Sequence, residues 1–135
     1  MKILVSLHEA NLEKCKIIGK FFDPFIKVLT DSTEQKSRVA LHSGKRPRWN
    51  DQFVMTTEDF DKVYFRLYDK NFLYNRYIGE ATLWVQEIFD ANGELKKSLD
   101  IYKNGVVIGS LIFSVRVLAH SILLQNPESC LEKAN

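Results

Sequence analysis

At 135 residues with 45% of them hydrophobic, the chain has the length of one domain and enough apolar material for a proper core. A near balance of 19 basic against 17 acidic side chains, net charge +2, gives no whole-chain signal for nucleic acid or an anionic membrane, so electrostatic arguments rest on local clusters. Cys15 and Cys130 lie too far apart to read as a disulfide framework, and no stretch reads as a signal peptide or transmembrane helix, so an intracellular, reduced protein is expected.

Taken in chain order, short runs of period-two alternation appear at Lys2 to His8, Phe25 to Leu29, Lys36 to Leu41, Gln52 to Thr56, Val63 to Tyr68, Tyr77 to Trp84, Lys97 to Tyr102 and Ser110 to Leu118. In the last of these Leu111, Phe113, Val115 and Val117 fall on one face and Ser114 and Arg116 on the other, the pattern of a half-buried strand. Asp31-Ser32-Thr33, Ser43-Gly44 and Lys103-Asn104-Gly105 separate the runs as turns. One helix-like segment, Val85 to Asp90, is stopped by Asn92-Gly93. Eight short strands so spaced predict an all-β, antiparallel β-sandwich with at most one short helix. Residues 1–120 form the expected domain. Residues 121–135, with the apolar Ile122-Leu123-Leu124, read as a C-terminal tail that covers a sheet edge or docks a partner.

Phe22-Asp23-Pro24-Phe25-Ile26-Lys27-Val28, then Arg46-Pro47-Arg48-Trp49-Asn50-Asp51-Gln52-Phe53, then Asp69 and Ile78-Gly79 follow one another in an order and spacing that resemble a C2 domain across nearly the whole chain. Lys2 to Leu12 resembles the strand that leads directly into the family's first loop, so Ser110 to Leu118 supplies the eighth strand. That arrangement resembles the family's type II order. Trp49 is expected to anchor a corner, Asn50 to hydrogen-bond its turn, and Pro24 and Pro47 to set chain direction.

The resemblance raises the question of calcium, which takes about six to eight oxygen ligands, many of them carboxylates. Carried onto this chain, the family's acidic positions fall on Ile17 and Asp23 in the first loop, and on Asp69, Asn71 and Asn75 or Arg76 in the third. Only Asp23 and Asp69 keep a carboxylate, while Asn71 keeps a neutral oxygen. Lys16, Lys20, Lys70 and Arg76 flank them, and a loop cluster held by internal charge pairs is the expectation. No cofactor is expected, with weak calcium binding left open.

The same loops carry Ile17, Ile18, Phe21 and Phe22, then Phe72, Leu73 and Tyr74. In the family this end faces the bilayer, so these residues are candidates for membrane insertion or a protein contact, against plain packing of the sandwich end. A second candidate surface is basic: Lys27, Lys36, Arg38, Lys45, Arg46 and Arg48 resemble the polybasic sheet face that many C2 domains turn to phosphoinositides, against a reading as a merely solvated face.

No nucleophile motif, phosphate loop, paired catalytic carboxylate or metal-like spacing of His8, His42 and His120 is present. The expectation is a non-enzymatic binding module, cytoplasmic and associated with membrane or cytoskeleton, with no nucleic-acid or small-molecule ligand. Two readings stand: a calcium-independent docking or structural subunit of a larger cytoskeletal, ciliary or trafficking assembly, and a calcium-independent module for anionic phospholipids or phosphoinositides.

Overall fold

Alternation of apolar and polar side chains yields strands with one dry face. The computed structural model of the chain, which describes residues 1–19, 21–58, 61–70 and 73–118, contains eight of them among the described residues. They are β1 (Lys2–Asn11), β2 (Pro24–Leu29), β3 (Glu34–Lys36), β4 (Arg48–Thr56), β5 (Lys62–Lys70), β6 (Asn75–Trp84), β7 (Glu94–Lys103) and β8 (Val106–Val117), with the helix α1 (Val85–Asp90) between β6 and β7. The segment read from sequence as a tail lies outside the described residues.

Every pairing is antiparallel, in the order β3-β2-β5-β6-β7-β8-β1-β4. Among the described residues β6 and β7 pair only at Glu80 opposite Tyr102, and there the sheet folds over. A flat sheet would hold β5 and β8 roughly 14 Å apart at ordinary strand spacing. The rings of Phe65 and Phe113, one on each of those strands, have their centroids 5.0 Å apart. The result is a Greek-key sandwich, β3-β2-β5-β6 against β7-β8-β1-β4, in the type II order with β1 between β8 and β4. Ile3, Val5 and Leu7 of β1 meet Ile26 and Val28 of β2, Phe65 and Leu67 of β5, Leu83 of β6 and Val115 of β8 in one buried core.

Two glycines mark places where the chain has no room for a side chain. A Cβ on Gly79 would stand 2.8 Å from Ile108 and 2.9 Å from the Tyr102 carbonyl at the fold-over, and one on Gly109 would stand 2.4 Å from the Asn11 carbonyl. The expected turns form as their residues dictate. Asn104 (φ 51°) and Gly105 (φ 77°) make the two-residue β7–β8 hairpin, whose type requires positive φ at both positions. At the end of α1 the amide of Asn92 donates to the Phe89 carbonyl (2.9 Å) and that of Gly93 to the Ile88 carbonyl (2.8 Å), a Schellman closure.

Two expectations are corrected. The third strand is Glu34–Lys36, not Lys36 to Leu41. After Lys36 the amide of Ser37 still reaches the Ile26 carbonyl, but that of Arg38 donates to the Asp51 carboxylate (2.7 Å), so a side chain takes the place of a strand partner. Asn50 is exposed within β4, and its distinguishing feature is a backbone at φ 52°, which asparagine tolerates better than most residues. Trp49 does anchor its corner, its buried indole N–H donating to the Pro24 carbonyl at 3.1 Å.

Candidate functional site

The loops at one end of the sandwich are placed by β2, β5 and β6. Antiparallel register sets Asp69 opposite Pro24 on one side and opposite Arg76 on the other. Directly opposed unlike charges attract across a strand pair, and here the guanidinium of Arg76 donates to Asp69 Oδ2 at 3.2 Å. The same guanidinium donates to the Ile17 carbonyl at 3.0 Å, so it ties the first loop to the β5–β6 hairpin. Asp69 Oδ1 accepts the amide of Asp23 (3.0 Å), and Asp23 Oδ1 accepts the amide of His42 (2.6 Å). The His42 ring lies 3.8 Å from that same oxygen and packs edge-on to Phe21.

Of the described basic residues flanking the loops, Arg76 is the one placed on a loop carboxylate. Lys70 is exposed and contributes its backbone amide to the Asp23 carbonyl; Lys16 is exposed; Lys20, like Asn71 and Phe72, lies outside the described residues. Among the described donors, Ile17 offers a carbonyl already engaged by Arg76, and Asp69 has a guanidinium against it, a poor arrangement for calcium. Among the described residues no three His, Cys, Asp or Glu side chains are grouped to hold a metal.

The loop residues singled out from sequence divide. Phe21 (69% exposed), Leu73 (81%) and Tyr74 (62%) stand out in solvent together with Ile17, while Ile18 is half-buried against the core. Phe22 belongs with the core, only 1% exposed, in the same buried cluster as Leu12 and Cys15, and so is not a tip residue.

The basic residues divide as well. Arg38 pairs with Asp51 (2.8 Å) and donates to the Trp49 carbonyl, Arg46 pairs with Glu13 (3.2 Å), Arg48 pairs with Glu9 (3.1 Å), and Lys45 reaches the Glu13 carbonyl. These four brace the β1–β4 side and do not join the others. Lys27 and Lys36 face each other across β2 and β3 on the outer surface of the other layer. Beside them on the same face, with Phe25 itself buried, lies an aromatic stack that sequence reasoning missed. Phe25 and Tyr68 stack with centroids 5.4 Å apart, Tyr77 meets Tyr68 edge-on, Lys27 Nζ sits 5.1 Å from the Tyr68 ring, and Lys36 Nζ sits 5.6 Å from Phe25. Lys103 covers Tyr77 at 4.5 Å, while Arg66, opposite Lys27, bonds Glu80 at 2.7 Å. Burial, and then the charge of Glu80, push the Tyr77 phenol above its ordinary range. The signal was available: alternation places Phe25 with Lys27, and Tyr64 with Arg66 and Tyr68, on the outward side.

The described residues thus form a two-layer β-sandwich with an ion-paired loop end and a basic sheet face underlain by aromatic rings. The chain belongs to the C2 domain family, whose model matches residues 2–101. It is 35% identical over 83 residues to Elicitor-responsive protein 1 of Oryza sativa subsp. japonica (57% of this chain, 52% of the relative), and 30% identical over 88 residues to 16 kDa phloem protein 2 of Arabidopsis thaliana (64% and 59%). It thus spans little more than half the length of these curated relatives. A solved C2 domain-containing protein from a putative elicitor-responsive gene shares the fold at TM-score 0.76 and 22% identity, over 87% of this chain and 88% of that one. A C2 domain of plant Extended Synaptotagmin 1 shares it at TM-score 0.70 and 20% identity, over 84% and 91%.

Proposed function

We propose that the chain is a non-enzymatic, calcium-independent module that binds anionic phospholipid headgroups, phosphoinositides above all, at the cytoplasmic face of a membrane. The observation that carries this reading is the Lys27–Lys36 pair over the stacked Phe25 and Tyr68. Two neighbouring ammonium groups, each over a ring of the stacked pair, suit a compact headgroup that carries several phosphates. Each contributes about 1 kcal/mol near an anionic surface. Phe21, Leu73 and Tyr74 would then enter the headgroup region from the loop end.

A second reading, a docking or structural subunit of a larger cytoskeletal, ciliary or trafficking assembly, draws on that same exposed loop trio, which suits a protein groove as well as a bilayer. Co-flotation with liposomes containing phosphatidylserine and a phosphoinositide separates the two. Under the first reading the protein floats both with calcium and with chelator, and Lys27→Ala with Lys36→Ala weakens binding about thirtyfold, as roughly 2 kcal/mol implies. Failure of the unmodified protein to float in either condition would move the assignment to a protein partner.

A further inference from the structure

We propose that Arg76 is a resident cation: its guanidinium takes the place of a divalent ion at the loop end and holds the first loop and the β5–β6 hairpin together. Asp69 is an acid only 8% exposed, and a buried carboxylate persists when a cation and hydrogen bonds satisfy it. Arg76 supplies the charge at Oδ2, the amide of Asp23 satisfies Oδ1, and Asp23 in turn is held by the amide of His42. The guanidinium's further bond to the Ile17 carbonyl spans 59 positions of sequence, the kind of cross-link that a bound ion makes between loops. Both bonds leave one terminal nitrogen, Nη2, whose two hydrogens serve the two oxygens, while the buried Nε has no hydrogen-bond partner among the described residues; a lysine ammonium could therefore reproduce the charge and part of the bonding. The Asp69–Arg76 pair is set by hairpin register, so this cation folds with the chain and is present at every calcium concentration.

The inference stands on the loop geometry and is separate from the ligand of the Lys27–Lys36 face; loss of liposome binding would leave it intact. Thermal unfolding of the unmodified protein, Arg76→Gln, Arg76→Lys and Arg76→Asp, each in chelator and in millimolar calcium, tests it. The unmodified protein is expected to melt at one temperature in both conditions. Arg76→Gln, which strands the Asp69 carboxylate, is expected to melt about 5 °C or more lower, with Arg76→Lys recovering part of the loss. Arg76→Asp, which groups a third carboxylate with Asp23 and Asp69, is expected to melt lower in chelator and to regain stability with calcium. A calcium-induced rise in the unmodified protein would overturn the proposal, as would an Arg76→Gln variant as stable as the original. An Arg76→Asp variant that folds but ignores calcium would overturn the equivalence of the guanidinium with an ion.

Discussion

Phe21 and Phe22 are adjacent, identical in chemistry, and opposite in fate. Phe22 is buried in the same core cluster as Leu12 and Cys15, whereas Phe21 is exposed and packs edge-on to His42. Loops lack the period that tells inside from outside along a strand, so no reading of this stretch chooses between the two rings. Truncation does. Phe22→Ala is expected to lower stability in urea by about 3 to 5 kcal/mol, and Phe21→Ala to leave it within about 0.5 kcal/mol. Equal losses would place both rings in the core.

Elements are joined at the end opposite the calcium-type loops by a second acidic pair. Asp61 precedes β5 and is buried; its Oδ2 accepts the Thr57 hydroxyl (3.0 Å) and its Oδ1 the amide of Lys62 (3.0 Å). Burial alone would raise the Asp61 carboxyl, but these bonds, with those from Asp31 and Glu58, outweigh it and hold the group below the ordinary value of 3.8. Asp31, in the β2–β3 turn, is raised above that value by its side-chain hydrogen bond to Asp61 and then by the Asp61 charge. The signs oppose: what Asp61 contributes is present above the ordinary aspartate range and lost as pH falls through its lowered value. What the Asp31 bond contributes is present at acid pH and lost as pH rises through its raised value, leaving two anions side by side. Asp31→Asn, which donates at every pH, is therefore expected to raise the melting temperature at neutral pH. That gain is expected to fade as pH falls through the raised Asp31 value and to be gone by 3.8, which paired melts across the acid range would record. A gain that persisted into acid would assign it to something other than this repulsion. The same turn shows the reach of sequence reading at the level of elements: alternation located β2 and β5 closely, yet the third strand came out displaced, because Asp51, far along the chain, captures the Arg38 amide.

Across the whole molecule the first and last strands, β1 and β8, pair inside the sheet, with Ile3 opposite Val117 and Leu7 opposite Phe113. The matched family region ends at residue 101, but β8 beyond it separates β7 from β1 and carries Phe113 into the core. Such pairing between strands about a hundred positions apart gives the fold a high contact order. A chain cut after Lys103 is expected to lose its cooperative thermal transition, measured by far-ultraviolet circular dichroism; retention of a sharp transition would show that β8 is dispensable.

What the amino-acid order determined by itself is what depends on neighbours a few positions away. The inward and outward sides of β5 and β8 follow from alternation, the stops at Asn92-Gly93 and Asn104-Gly105 from positive φ, and the thinning of the acidic loop set from residue identity. What only the tertiary structure decided involves partners far apart in the chain. It withdrew Arg38, Arg46 and Arg48 from the basic face by giving each a carboxylate, and it stacked Phe25 and Tyr68 beside Lys27 and Lys36. It also placed Arg76 between Asp69 and Ile17. The physical reason is that backbone preference is local, whereas the charge a side chain meets is set by whichever strand register and fold-over bring to it.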